Sequence, residues 1–140
     1  AWDLVRFGIA MYGLSPGEQV VLPEGIRAAL AWKTVIAQVK DLPPGRGVSY
    51  GHTYTTGGLG GSERIGTMPV GYADGFRRGV PNEVLVRGVR VPVVGRVCMD
   101  QCMVRLDDVP DAAVGDEVVL IGAGVAGLLF KSGLLETDKA

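Results

Sequence analysis

Four stretches of the sequence hold residue types able to do chemistry at spacings a fold can use. In Arg6-Phe7-Gly8-Ile9 an arginine stands beside a glycine. A bare backbone amide next to a guanidinium can bind a phosphate or the nitrogen of a heteroaromatic ring. A surface arginine ahead of a buried strand accounts equally for the same residues. Read as a strand, VSYGHTY (48–54) puts Tyr50, His52 and Tyr54 on one face, because side chains alternate with period two. That row is either a cross-strand aromatic ladder or the setting of a tyrosine acid–base. The second role needs cationic neighbours to draw the phenol from its usual pKa of about 10 toward neutrality.

The third stretch, GYADGFRRG (71–79), reads as a strand leaving the sheet into a turn, with Gly71, Asp74 and Gly75 around Tyr72 and with Arg77 and Arg78 projecting. An exposed basic turn is the plain alternative. The fourth, GRVCMDQCM (95–103), sets Asp100 and Gln101 inside an apolar strand, where a buried carboxylate or amide must be hydrogen-bonded or functional. On such a strand Cys98, Asp100 and Cys102 face one way and Val97, Met99 and Gln101 the other. Neither face is uniformly apolar, which suits a strand lining a site or a subunit contact.

The elements that must position these residues are short. Of 140 residues 22 are Gly and 8 are Pro, so the chain turns often. Glycine supplies positive φ and proline removes a ladder donor, which favours brief strands over long helices. Strands are expected at 33–40, 47–55, 64–72, 83–86, 89–94, 96–106 and 117–122, with a two-residue hairpin at Arg87-Gly88. Seven strands without room for crossover helices indicate an antiparallel barrel or sandwich. GGLGG (57–61) is a loop tip, and VAGLLFKSGLLE (125–136) is the one helical candidate, weakened by Gly127 and Gly133. A boundary is expected near residues 22–31.

Composition narrows the partners. Lys plus Arg 14 against Asp plus Glu 15 leaves a net charge of −1, too little to attract nucleic acid or an anionic membrane, so a small molecule or a protein is the expected partner. No apolar run is long enough for a membrane-spanning helix, and AWDLVRFGI is neither a signal nor a transit peptide. The first residue is not Met, so the chain reads as a fragment. Cys98 and Cys102 on an extended strand stand too far apart to bridge, and free thiols suit a reducing, cytoplasmic setting. With one histidine, His52, no zinc site of the Cys and His kind is expected.

Taken together and in order, VRFGIAMYGLSP (5–16), VSYGHTY (48–54), PVGYADGFRR (69–78) and VGRVCMDQCMV (94–104) resemble the C-terminal part of bacterial alanine racemase, over about residues 3–122. The resemblance implies a mainly β, antiparallel barrel-like domain at 25–122. Ahead of it, residues 1–24 would be the end of a (β/α)8 barrel, and 123–140 a tail outside the family pattern. It implies a homodimeric, pyridoxal 5′-phosphate-dependent isomerase that interconverts L- and D-alanine, supplying D-alanine for peptidoglycan. Each active site would join one subunit's barrel to the other's β domain.

By the same resemblance Arg6 pairs with the cofactor's pyridine nitrogen, and Gly8 and Ile9 contact its phosphate. Tyr50 is the catalytic base on the L-alanine face, the Met99 amide binds the substrate carboxylate, and Tyr72 narrows the entrance. Arg78, Arg96 and Asp100 belong to the access corridor. The second base, a lysine that also holds the cofactor, matches none of Lys33, Lys40, Lys131 and Lys139, so this chain alone is expected to be inactive. A racemase for serine, lysine or a broader range, or a non-catalytic β module kept for dimer contact, are the alternatives. Retention of Tyr50, Tyr72 and Met99 favours descent from a working enzyme.

Overall fold

The computed structural model describes residues 3–57, 60–79, 82–123 and 129–130. The chain divides after Ala31 into two compact units. In the first, a 3-10 turn at Gly8–Tyr12 buries Ala10 and ends on Gly13, whose φ of 77° lets its N–H donate back to the Ala10 carbonyl at 3.0 Å. Glycine is required at that position for a second reason: a Cβ would lie 2.0 Å from the Arg27 carbonyl carbon.

The second unit is a curled, mainly antiparallel sheet. Its strands are β1 (Trp32–Val35), β2 (Gln38–Leu42), β5 (Glu63–Met68), β6 (Glu83–Val86), β7 (Val89–Val94), β8 (Cys102–Arg105) and β9 (Glu117–Ala123). A two-stranded hairpin of β3 (Gly47–Val48) and β4 (Tyr54–Thr55) stands apart, and β10 (Leu129–Phe130) pairs with β9. Neighbours run β1-β9-β6-β7-β8-β5-β2. The two ends of that path, β1 and β2, are consecutive in sequence, joined by Ile36 and Ala37 alone. The chain therefore changes partner within two residues, Ile36 bonding to Asp116 on the β9 side and Ala37 to Thr67 on the β5 side. An open sheet whose edges are covalent neighbours has to curl.

The concave face is filled by Ile36, Met68, Val84, Val86, Val91, Val104, Leu106, Val118 and Leu120, with Phe76 packed edge-on against Trp32 at 6.0 Å between ring centres. A smaller cluster of Val48, Ile65 and Val94, flanked by Leu42, Tyr54 and Met103, seats the β3–β4 hairpin on the main sheet. At Arg87-Gly88 both residues take positive φ, 51° and 81°, the geometry whose twist matches a two-residue hairpin.

Several expected strands are shorter than their apolar patterns. Residues 33–40 form two strands, because Ile36 and Ala37 make the change of partner. The strand expected at 64–72 ends at Met68, and Tyr72–Asp74 is a 3-10 turn. Residues 47–55 are a hairpin broken by a 3-10 turn at Tyr50–His52, with Ser49, Gly51 and His52 all at positive φ, so Tyr50, His52 and Tyr54 do not share a strand face. Of residues 96–106 only Cys102–Arg105 are strand, and Asp100 and Gln101 are exposed on a bend rather than buried in it. Cys98 and Cys102 are free, as expected, although no extended strand separates them. The expected helix at 125–136 is contradicted at Leu129–Phe130, which are strand; its remaining residues lie outside those described. Among the described residues no helix is long and apolar enough to cross a membrane.

Candidate active site

The site is a set of loops held to one another by short hydrogen bonds and close backbone approaches. Tyr50 opens the 3-10 turn at the tip of the β3–β4 hairpin and is 70% exposed. Just before it, Ser49 Oγ donates to the Arg96 carbonyl at 2.6 Å and lies 3.3 Å from the Cys98 sulfur. Gly95 makes that approach possible, since a Cβ there would meet the Val48 carbonyl oxygen at 2.7 Å. On the other side of the tyrosine, the space a Cβ on Gly51 would take lies 3.5 Å from the Arg96 guanidinium carbon. The Tyr50 tip is thus fastened to the segment 95–98.

That segment in turn carries Met99 and touches Tyr72. The Tyr72 N–H donates to the Cys98 carbonyl at 3.0 Å and the Ala73 N–H to the Met99 carbonyl at 2.9 Å. Gly71 is where the two backbones pass closest: a Cβ on it would sit 2.3 Å from the Cys98 oxygen. Asp74 closes the turn by accepting from the Gly71 N–H at 2.9 Å, and Gly75 ends it at a φ of 96°. Among the described residues no acceptor occupies the Met99 N–H. Met99 and Tyr72 present exposed side chains beside it, and the Arg78 guanidinium lies over the Tyr72 ring, 5.4 Å from its centre. A cleft of about 340 Å³ next to them is lined by Thr53, Arg78, Asn82, Gly95 and Arg96. Two arginines lining one small cleft favour an anionic occupant.

The structure therefore places Tyr50, Tyr72, Arg78, Arg96 and Met99 on loops linked directly to one another. Asp100 adjoins Met99 but points to solvent. Arg6, Gly8 and Ile9 lie in the first unit, all exposed, with Gly8 at a φ of 64° opening the 3-10 turn. Among the described residues Arg6 makes no ion pair. The first N–H groups of such a turn have no acceptor within it. No group of three or more His, Cys, Asp and Glu among the described residues could hold a metal ion.

Sequence reasoning missed a buried polar cluster beside the hairpin. Tyr54 donates its hydroxyl to Glu63 Oε2, and the Gly57 N–H donates to Glu63 Oε1 at 2.7 Å. Glu63 is fully buried. Burial and then the Glu63 contact raise the Tyr54 pKa above the usual phenol value, against the opposing pull of Arg105. This tyrosine is thereby kept protonated, whereas Tyr50 at the tip is the more exposed of the two. Glu63 opens a strand of ordinary alternation, and nothing in its neighbours distinguishes it from an exposed glutamate.

A family model, "Alanine racemase, C-terminal domain", matches residues 29–131. The chain belongs to this family. It is 50% identical over 122 residues to the alanine racemase of Halothermothrix orenii, covering 86% of the chain and 31% of that protein. It is 53% identical over 123 residues to that of Symbiobacterium thermophilum, covering 86% and 32%. The chain thus spans about a third of the curated relatives it matches. Among solved structures it resembles the Clostridium difficile 630 alanine racemase in complex with cycloserine, at TM-score 0.71 and 47% identity over 81% of the chain and 30% of that structure. It also resembles the Bacillus anthracis alanine racemase with bound L-Ala-P, at TM-score 0.71 and 45% identity over 84% and 30%.

Proposed function

We propose that this chain is the part of a pyridoxal phosphate-dependent alanine racemase that supplies the L-face proton and the substrate-carboxylate contact to an active site completed by a (β/α)8 barrel. In this reading residues 1–24 end the barrel and 25–122 form the β domain. The observation that carries it is the linkage of Tyr50, Met99 and Tyr72: three exposed side chains, Met99 on the segment 95–99 and the other two on loops fastened to that segment. A module kept for packing alone has no use for an exposed phenol on a strained tip.

The residues present fit the cofactor. Arg6 is exposed, and the opening N–H groups of the Gly8 turn suit a phosphate. Bound pyridoxal phosphate supplies an electron sink for the charge left at Cα when its proton departs. A guanidinium only donates, so Arg6 held at the ring nitrogen would leave it an acceptor and would weaken that sink, favouring prompt return of the proton over side reactions. Tyr50 removes or returns the Cα proton at its hydroxyl oxygen on the L face. A second base on the opposite face, the lysine of the barrel, is needed because inversion requires reprotonation from the other side. The Met99 N–H holds the carboxylate, Tyr72 narrows the entrance, and Arg78, Arg96 and Asp100 line the approach. Each site draws on two subunits of a homodimer.

The test is Tyr50→Phe in a full-length racemase that contains this chain. Racemisation in both directions is expected to fall by at least about 100-fold, as for loss of a general base. Exchange of the D-alanine α-hydrogen with solvent deuterium should be retained. Unchanged kinetics remove Tyr50 from the reaction.

A further inference from the structure

The β3–β4 hairpin is too small to hold its own shape. It has two residue pairs, Gly47 with Thr55 and Val48 with Tyr54, and isolated ladders of that length are not stable. Its tip holds three residues at positive φ, and two of them, Ser49 and His52, are not glycine. Such conformations persist only where the surroundings enforce them. On the outgoing side the enforcement is the Ser49 hydroxyl on the Arg96 carbonyl. On the returning side it is Glu63. One carboxylate oxygen takes the Tyr54 hydroxyl and the other takes the Gly57 N–H, so a single buried side chain grips both ends of 54–57. Thr56, between them, is tied to the Pro43 carbonyl at 2.6 Å and accepts from the Arg46 N–H at 2.9 Å, closing the hairpin base.

A carboxylate with no exposed surface is an expensive way to fill space, and an apolar residue would serve packing better. What it offers instead is direction, because both oxygens accept along defined lines. We propose that Glu63 is a positioning residue for Tyr50, fixing through Tyr54 and Gly57 the hairpin on whose tip the phenol stands; this rests on the reading of Tyr50 as the L-face base. Glu63 touches no reacting atom. Its effect is transmitted along the four residues from Tyr54 back to Tyr50, whose hydroxyl has to meet Cα closely to transfer a proton.

The experiment compares Glu63→Gln, Tyr54→Phe and Tyr50→Phe in the full-length, cofactor-loaded dimer. It measures racemisation from both enantiomers, exchange of the D-alanine α-hydrogen with solvent deuterium, and thermal unfolding. Glu63→Gln is expected to lower kcat in both directions by about 10- to 100-fold, the scale for a displaced catalytic group. KM should stay within about three-fold and D-alanine exchange within about two-fold. Tyr54→Phe should follow in the same sense with a smaller loss, and it carries the test if Glu63→Gln does not fold. Loss of racemisation and D-alanine exchange in equal proportion, or a lowered unfolding temperature with kcat intact, overturns the proposal. If Tyr50→Phe itself loses both activities equally, the reading of Tyr50 fails and Glu63 has nothing to position.

Discussion

Gly71 and Gly75 lie four residues apart in the same turn, yet alanine should act on them through different physics. At Gly71 the backbone is extended, with φ at −146°, so a side chain brings no left-handed strain there. The obstacle is space: the new Cβ would sit 2.3 Å from the Cys98 oxygen and 2.4 Å from the Met99 carbonyl carbon. Both are backbone atoms, at least about 1 Å inside van der Waals contact. Relief means moving the Tyr72 turn off Met99, which breaks the Tyr72–Cys98 and Ala73–Met99 hydrogen bonds. Those are worth about 1 kcal/mol each, and the overpacking adds about 1–3 kcal/mol. A loss of about 3–5 kcal/mol follows, or roughly 10–20 °C for a domain of this size. At Gly75 the φ of 96° is unfavourable to alanine but nothing lies within 4 Å of a Cβ, so the cost is about 1–2 kcal/mol. Differential scanning calorimetry of both variants in the intact protein measures the contrast. On the proposed reading of the Met99 amide as the carboxylate contact, Gly71→Ala should also raise KM for alanine, because that amide moves with the turn. An unfolding temperature for Gly71→Ala no lower than that for Gly75→Ala refutes the close-approach reasoning.

Two pH dependences follow from buried and paired groups. Burial, with a smaller contribution from Cys98, pushes the Cys102 thiol from 9.0 up to about 12. Above pH 9 the unfolded chain gives up this proton and the folded one does not, so stability should fall as the pH rises from about 9 to about 12. Cys102→Ala should flatten that alkaline limb in urea titrations, and an unaltered slope would count against the assignment. Asp116 is held below its ordinary 3.8 by Arg87 and then by the Ala113 N–H. Its contribution is present above that value and lost as the pH falls through the lowered one. Asp116→Asn should therefore reduce the acid sensitivity of unfolding, and equal acid midpoints for variant and parent would refute this.

Where a pattern depends on neighbours in sequence, it could be read directly. Arg87-Gly88 was legible as a two-residue turn, and 83–86, 89–94 and 117–122 as strands, because spacing and alternation there coincide with the ladder the residues join. The motif residues Tyr50, Tyr72 and Met99 were legible as candidates for the same reason of order and type. Their setting was not. VSYGHTY alternates like a strand, yet Ser49 and His52 take positive φ, with the Ser49 hydroxyl held on the Arg96 carbonyl and the His52 ring seated where a Cβ on Gly47 would stand. GRVCMDQCM is apolar enough for a strand, yet the Cys98 and Met99 carbonyls accept from Tyr72 and Ala73 rather than from a neighbouring ladder.

The amino-acid sequence by itself determined the class of the fold, through glycine, proline and short apolar alternations, and the identity of the groups able to do chemistry. The tertiary structure decided which of those groups meet. The link at Ile36 and Ala37 joins both edges of the sheet, Gly71 and Gly95 let backbones pass at distances no other residue allows, and Glu63 is buried against Tyr54. Each of these is a long-range contact. Periodicity reports only which way a side chain faces along its own strand, whereas a hydrogen-bond partner 9 or 47 residues away is selected by the packing of the whole sheet.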